Sequence, residues 1–272
     1  MKTIYHFSGA GNDFVVIDGR EGDVSAFREV PRIEALCKEY KTDGLMILGS
    51  GDAEVDFTME FYNPDGSGGM MCGNGGRCIV AFADYLGIRP SSGGVFLFMA
   101  PDGLHTGEIL DRPADDLWTV RIKMIDVQGI TPMLGGYFLN TGTRHFVKFV
   151  DDVEQVDVDT EGKALRWNEA FAPIGTNVNF VHVAPDGLHV RTFEKGVEGE
   201  TLACGTGLTA SAIAAYAAAV IPSDPSVIPS EAKESVRLRA RQDWLSVNFT
   251  PGADEKFTDV YLTGPARLVE IH

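Results

Sequence analysis

The 272-residue sequence is short of basic charge, of cysteine and of long apolar runs, and each shortage excludes something. Lys and Arg total 23 against 39 Asp and Glu, a formal net charge of −16. Phosphate backbones are gripped by clustered Lys and Arg, and no such cluster occurs, so nucleic acid is not expected as a partner. An anionic membrane surface is an equally poor match. The longest apolar run, residues 208–221, covers about 14 positions, too few to span a bilayer. The opening MKTIYHFSGAGNDF is broken by polar residues and glycines and holds no secretory apolar core, so a cytoplasmic location is expected. In that reducing setting four cysteines (37, 72, 78 and 204) do not read as a disulfide framework. No pair has the CxxC spacing, and Cys72-x5-Cys78 lacks a companion His or Cys cluster, so no metal is expected. No cofactor is expected either. There is no phosphate loop after a strand and no lysine in a pyridoxal context. SGAGNDF starts like a dinucleotide fingerprint but lacks the third glycine and leads into a strand.

What remains is ordinary globular material, 44% hydrophobic and 23% charged, enough for one large domain or two of average size. Alternation and β-branched content predict strands at residues 3–7, 14–18, 45–48, 55–62, 95–99, 118–124, 146–149, 179–183 and 188–193. Further strands are predicted at 236–240, 244–249, 259–262 and 266–271. Ile33, Leu36, Cys37 and Tyr40 have helical spacing after Pro31, which suits a first helical turn, and place Cys37 in a core. The Pro/Ser-rich stretch 221–233 reads as a surface loop. The class is α+β, with mostly antiparallel or mixed sheets.

Two stretches share a pattern: MMCGNGGRCIVAFADYLG from Met70 and LACGTGLTASAIAAYAAA from Leu202. An offset of 132 residues (204 − 72) aligns Phe61 with Phe193, Cys72 with Cys204, Gly73 with Gly205, Gly75 with Gly207 and Ala83 with Ala215. Both apolar runs read as helices, with Asn74 and Thr206 as N-caps. The first stops at Gly87 and the second before Pro222. Being apolar on nearly every face, each is expected to be buried all round, which puts Cys78 in a core. Two similar domains related by a pseudo-twofold follow, each a set of strands around a central helix. The expected domains are residues 1–118 plus 264–272, carrying Cys72, and residues 119–263, carrying Cys204.

A cysteine at a helix N-terminus feels the positive end of the dipole and unpaired backbone N–H groups, which lower its pKa. The same N–H groups make an anion site. Two such helices meeting across the pseudo-twofold would bind one carboxylate between them, with a cysteine on each side of the attached carbon. One thiolate takes a proton from one face and the other thiol returns one to the opposite face. The dipoles stabilise the enediolate charge between the two steps.

At these residues the sequence resembles diaminopimelate epimerase. The carriers are GAGNDF (residues 9–14), NPDGS (63–67), MCGNGGRC (71–78), GTNVNF (175–180) and GETLACGTG (199–207), in order along nearly the whole chain. The wider resemblance is to cofactor-independent amino-acid racemases, proline racemase among them. It implies two α/β domains with the active site in the cleft between them, and LL-diaminopimelate converted to the meso isomer for lysine and peptidoglycan synthesis. It implies that Cys72 and Cys204 are the acid/base pair, with His145 and Glu194 as polar partners beside them. The backbone N–H groups of Gly73, Asn74, Gly205 and Thr206 would cradle the α-carboxylate. Asn12, Asn63 and Asn177 would hold the substrate's amine and distal end, although Asn63, before Pro-Asp-Gly, has the context of a turn residue. The expected partner is a small amino acid, and a homodimer is compatible with the sequence.

Two departures fall where the family reads the distal carboxylate. Thr143 stands in place of an amide, and Glu194 is followed by Lys195 rather than arginine, which loses the bidentate fork. Either Arg144 supplies the missing guanidinium and the substrate is unchanged, or the site takes an amino acid with another distal group, such as histidine. A third reading, an amino-acid-binding protein without catalysis, has no need of both cysteines, and both are present.

Overall fold

The computed structural model describes residues 2–91, 93–220, 234–241 and 243–272; the Pro/Ser-rich stretch 221–233 lies outside them. The chain divides into two compact units, residues 1–122 with 264–272 and residues 123–263.

The first unit holds β1 (Ile4–Gly9), β2 (Asn12–Asp18), α1 (Val30–Tyr40), β3 (Gly44–Ser50), β4 (Phe57–Tyr62), α2 (Gly73–Tyr85), β5 (Val95–Ala100), β6 (Gly103–Ala114) and β7 (Leu117–Lys123). The second holds β8 (Ile130–Met133), β9 (Gly136–Asn140), β10 (Arg144–Phe149), α3 (Val158–Arg166), β11 (Asn177–Ala184), β12 (Gly187–Glu194) and β13 (Gly199–Thr201). It continues with α4 (Gly205–Ala217), β14 (Glu234–Ala240), β15 (Trp244–Pro251) and the first part of β16 (Phe257–Ile271). Residues 264–271 of β16 belong to the first unit.

In the first unit the strands pair in the order β1-β2-β3-β4-β5-β6-β7-β16, and β16 pairs back onto β1, closing the ring. In the second the order is β16-β15-β14-β12-β11-β10-β9-β8. A bridge between Val127 and Phe257 ties the lead into β8 to β16. Both sheets are mixed, and their parallel pairs fall at matching places. β2 with β3 is parallel and spanned by α1, as β10 with β11 is spanned by α3. β4 with β5 is parallel and spanned by α2, as β12 with β14 is by α4. Parallel neighbours need a crossover, and the helices supply it.

Each sheet is covered on both faces. Ile33, Leu36 and Cys37 of α1 pack on Val15, Ile17, Leu45 and Ile47, while α2 contacts β1, β2, β3 and β6 from the other side. That double cover is why residues 14–17 are buried without a break. In the second unit α3 lies against β11 and β12, over Phe146, Phe171, Phe180 and Phe193, and α4 against β10, β11, β12 and β14.

The two central helices match end to end at the 132-residue offset. Each has eleven or ten buried residues among its thirteen. α2 closes with Gly87 at φ +75°, Gly87 N–H bonding Asp84 O (2.9 Å) and Ile88 N–H bonding Ala83 O (3.0 Å). α4 closes the same way, with Ala219 at φ +53° and bonds from Ala219 to Tyr216 (2.9 Å) and Val220 to Ala215 (3.1 Å). Both are six-to-one closures with a left-handed residue, glycine in one case and alanine in the other.

Four expectations need correction. The N-caps are Cys72 and Cys204, with Asn74 and Thr206 two positions into the helices. Residues 259–262 and 266–271 form one 15-residue strand, because Pro265 is tolerated where it pairs with Thr119. β6, β8, β9 and β13 were not anticipated, nor was α3. α3 is held by an Asp157 side chain accepting Thr160 N–H at 3.1 Å and by Gly162 against Phe193.

Candidate active site

In the first unit the site begins at Cys72. Its backbone is extended (φ −103°, ψ 150°), and its sulfur accepts Gly75 N–H at 3.2 Å. The sulfur therefore does what a serine or aspartate oxygen does at an N-cap. Gly76 N–H returns to Cys72 O at 2.8 Å. The N–H groups of Gly73 and Asn74 precede the first intrahelical bond and point out along the positive end of the dipole.

Side chains around this turn are tied to each other. Fully buried Arg77 donates to Gly73 O (3.1 Å), Asn74 Oδ1 (2.9 Å) and Pro265 O (3.2 Å). Asn74 Nδ2 donates to Asn12 Oδ1, and Asn12 Nδ2 to Asp43 Oδ2 at 3.2 Å. Arg77 thereby puts a buried positive charge within a turn of Cys72, and Asn12 stands beside the helix start. The close approach of β1 needs glycine at position 9, where a Cβ would lie 2.8 Å from Asn74 O and from Cys78 Sγ. The loop entering Cys72 is anchored by Met71 N–H to Asp102 Oδ1 at 3.0 Å. Asn63 opens a turn, with Gly66 N–H to Asn63 O at 2.9 Å and Asn63 Nδ2 to Ser67 Oγ at 3.0 Å. Cys37 and Cys78 are buried, and burial pushes both thiols up in pKa.

In the second unit Cys204 holds the N-cap position of α4, where its side chain makes no cap bond to the first turn; it is buried, with its sulfur 3.4 Å from Thr206 Oγ1. The strand leading to it is clamped. Glu200 of β13 receives two bonds from Arg191 (2.8 and 2.7 Å) and two from Arg241 (both 2.8 Å). Burial pushes the Glu200 carboxyl up in pKa, but the two guanidinium groups outweigh it and the net shift is down.

His145, on β10, is completely buried. Its Nε2 lies 2.9 Å from both Thr143 Oγ1 and Thr206 Oγ1, and its Nδ1 lies 3.0 Å from Asn179 Nδ2. Loss of water pushes its pKa down to about 3, so at neutral pH the ring is uncharged. His145 therefore reaches Cys204 through the Thr206 hydroxyl. Gly207 makes room for this arrangement, since a Cβ there would lie 2.3 Å from Asn179 Oδ1. Glu194 ends β12 and is half-buried, and Lys195 after it is exposed. Asn177 is spent on the scaffold: Oδ1 accepts Lys195 N–H (2.8 Å), and Nδ2 donates to Arg144 O (2.9 Å) and Thr143 Oγ1 (3.2 Å).

Arg144 points elsewhere. Adjacent strand residues face opposite sides of a sheet, and the Arg144 guanidinium lies 5.0 Å from the Phe138 ring and donates to Phe171 O at 3.3 Å. It sits over the α3 side, whereas His145 faces α4. Residues 143, 179 and 206 were not read from the sequence as one network. Part of the signal was there, since Asn177 and Asn179 are two apart and share a face of any strand that holds both; that the strand starts at Asn177 and pairs it with His145 is seen only in the sheet. No group of His, Cys, Asp or Glu suited to a metal ion occurs among the described residues. No helix among them is long and apolar enough to cross a membrane.

A family profile described as diaminopimelate epimerase matches residues 4–92 and 137–268. Diaminopimelate epimerase of Chlorobaculum tepidum is 39% identical, over 96% of this chain and 97% of the relative. Those of Flavobacterium psychrophilum (37%, over 98% and 97%) and Aquifex aeolicus (38%, over 90% and 92%) are similar too. Among solved structures, a phenazine biosynthesis protein of the PhzF family from Bacillus anthracis superposes with a TM-score of 0.73 at 11% identity, covering 100% of this chain and 98% of that one. A probable proline racemase from Agrobacterium radiobacter gives 0.66 at 13%, covering 100% and 92%. At such identities these two establish the fold alone.

Proposed function

The chain belongs to the diaminopimelate epimerase family, and from that premise we propose that Cys72 and Cys204 invert the α-carbon of LL-diaminopimelate by a two-thiol proton transfer without a cofactor. The observation that carries the reading is that both cysteines are N-caps of buried helices whose ends match at one offset. An N-cap sulfur lies beside the N–H groups of the first turn, so the atom that moves the proton and the donors that hold the carboxylate come from the same few residues.

In the proposed reaction one cysteine is a thiolate and the other a thiol. The thiolate takes the α-proton, and the electron pair of the C–H bond moves into the carboxylate to give an enediolate. Gly73 and Asn74 N–H, with Gly205 and Thr206 N–H, hold that charge. The thiol then donates its proton to the opposite face, and the two sulfurs end with their states exchanged. Arg77 adds positive potential at the α2 end. Glu194 and His145 are the polar partners, His145 acting through Thr206.

Asn12, next to Asn74 at the helix start, is proposed to meet the substrate's amine, and Lys195 its distal carboxylate. Asn63 and Asn177 are proposed to shape the site through the turn and strand ends they brace. The guanidinium of Arg144 is held over Phe138 and Phe171, which favours Lys195 over Arg144 as the distal cation. That observation also keeps alive a second reading, in which the distal group of the substrate differs from that of diaminopimelate.

Single Cys72→Ser and Cys204→Ser variants test the pair. Each is expected to lose turnover at least 1,000-fold, roughly the scale of removing a proton-transfer group, because a hydroxyl is far too weak an acid to stand in for a thiol. Normal turnover in either variant would end the two-thiol reading.

A further inference from the structure

The hydrogen bonds behind Cys204 run in one direction, and the direction is set by backbone groups that have no choice of role. Asn179 is fully buried. Its Nδ2 faces Phe146 O at 3.3 Å and His145 Nδ1 at 3.0 Å, and its Oδ1 accepts the Thr192 hydroxyl at 3.0 Å. A backbone carbonyl only accepts, so Phe146 fixes Nδ2 toward the imidazole. Nδ1 of the neutral ring is then the acceptor, and the ring proton sits on Nε2.

The other flank is fixed in the same manner. Asn177 Oδ1 faces the Lys195 N–H, which only donates, at 2.8 Å, so Asn177 Nδ2 donates to Thr143 Oγ1 at 3.2 Å. Thr143 Oγ1 thus accepts from Asn177, and its own proton goes on to Thr206 Oγ1 at 3.2 Å. The Nε2–H lies 2.9 Å from both the Thr143 and the Thr206 hydroxyl oxygens, and Thr206 Oγ1 accepts from Thr143 in either case, so its own proton is directed to Cys204 Sγ at 3.4 Å.

We propose that Asn179 and Thr192 are positioning residues for the acid/base step: they fix His145 as the Nε2–H tautomer and so hold the Thr206 hydroxyl as a donor to the Cys204 sulfur. The proposal rests on Cys204 being one of the two proton-carrying thiols. A donor aimed at the sulfur favours its thiolate over its thiol. Asn179 and Thr192 do this from behind His145, through the buried ring. Their task resembles that of any group that holds an imidazole in one tautomer by occupying its far nitrogen.

The test uses the full chain labelled with 15N in its histidine rings, with the His145 signals assigned by their loss in His145→Gln. The native protein at neutral pH is expected to show a protonated Nε2 and a bare Nδ1. In Asn179→Asp the carboxylate accepts Nδ1–H and the tautomer inverts, so Nε2 becomes an acceptor for the Thr143 and Thr206 hydroxyls, each 2.9 Å away, and the Thr206 proton is no longer held on the sulfur. Iodoacetamide modification of Cys204, followed by peptide mass in a Cys72→Ser background, should then slow by about tenfold, the scale of one hydrogen bond to a charged group. Thr192→Val, which leaves the amide in place but loosens it, should slow modification less. A native His145 protonated on Nδ1 would overturn the proposal, and that spectrum requires no variant to fold. So would an Asn179→Asp protein with an inverted ring and unchanged Cys204 reactivity. Normal turnover in Cys204→Ser would instead sink the two-thiol reading while leaving the tautomer as assigned.

Discussion

Gly75 and Gly207 occupy the same place in the two central helices, yet the same substitution should affect them very differently. In a helix, alanine is favoured over glycine by about 1 kcal/mol, so each change starts with a similar gain. At position 207 the new methyl would lie 2.3 Å from Asn179 Oδ1 and 3.3 Å from His145 Cε1. Asn179 cannot retreat without losing its bonds to His145, Phe146 and Thr192. Overpacking costs about 1–3 kcal/mol, and each lost buried bond adds about 1 kcal/mol or more. Gly207→Ala should therefore destabilise the protein by about 2–4 kcal/mol, roughly the sum of those terms less the helix gain. At position 75 the methyl would lie 3.3 Å from Cys72 Sγ and 3.4 Å from Met46 Sδ, both at the ends of side chains that can shift. There the gain and the crowding should cancel to within about 1 kcal/mol. Urea unfolding of both variants, followed with turnover of the folded protein, makes the comparison. A Gly207→Ala protein as stable as the native one would refute the packing of Asn179 and His145 against α4.

His145 is held neutral with a pKa near 3, below its ordinary 6.5, so the unfolded chain binds a proton in that window that the folded chain does not. Its contribution is complete above pH 6.5 and is lost as pH falls, at up to about 1.4 kcal/mol per pH unit; His145→Gln should flatten the stability profile between pH 6.5 and 3, and an unchanged slope would contradict its burial. Lys195→Ala should raise the KM for diaminopimelate more than Arg144→Ala does, and steady-state kinetics showing the reverse would return the distal carboxylate to Arg144. Ala219→Gly should stabilise the protein by about 0.5–1 kcal/mol, because a left-handed alanine costs roughly 1–2 kcal/mol and glycine's extra freedom in the unfolded chain gives back part of it; slower hydrogen exchange at the Val220 amide would report it, and faster exchange would contradict it.

Strands such as β4 were legible because their residues alternate between buried and half-buried positions. The central helices were legible because they are apolar all round. Their caps were misread for a reason that bears on the site. Asn and Thr are the usual N-cap residues, but Asn74 is engaged with Asn12 and Arg77, and Thr206 with His145, so each cap falls to the cysteine two positions earlier. α3 escaped notice because Gly162 sits mid-helix and its place is set by Phe193 across the sheet, a tertiary contact that no local pattern carries. β6 escaped because its second half is exposed and carries Pro113. Arg144 lies just before the predicted strand 146–149 but opens β10, and the face it turns to follows from the burial of its neighbour His145, which only the packed sheet shows.

The central claim is that two thiols move a proton on and off one α-carbon. The most direct measurement is proton NMR of LL-diaminopimelate in D2O with reduced, purified protein, beside histidine, lysine and proline as controls. The account predicts loss of the α-proton signal together with appearance of the meso isomer, and loss of both effects in Cys72→Ser and in Cys204→Ser. Exchange confined to a control amino acid, or exchange that persists in either variant, would contradict it.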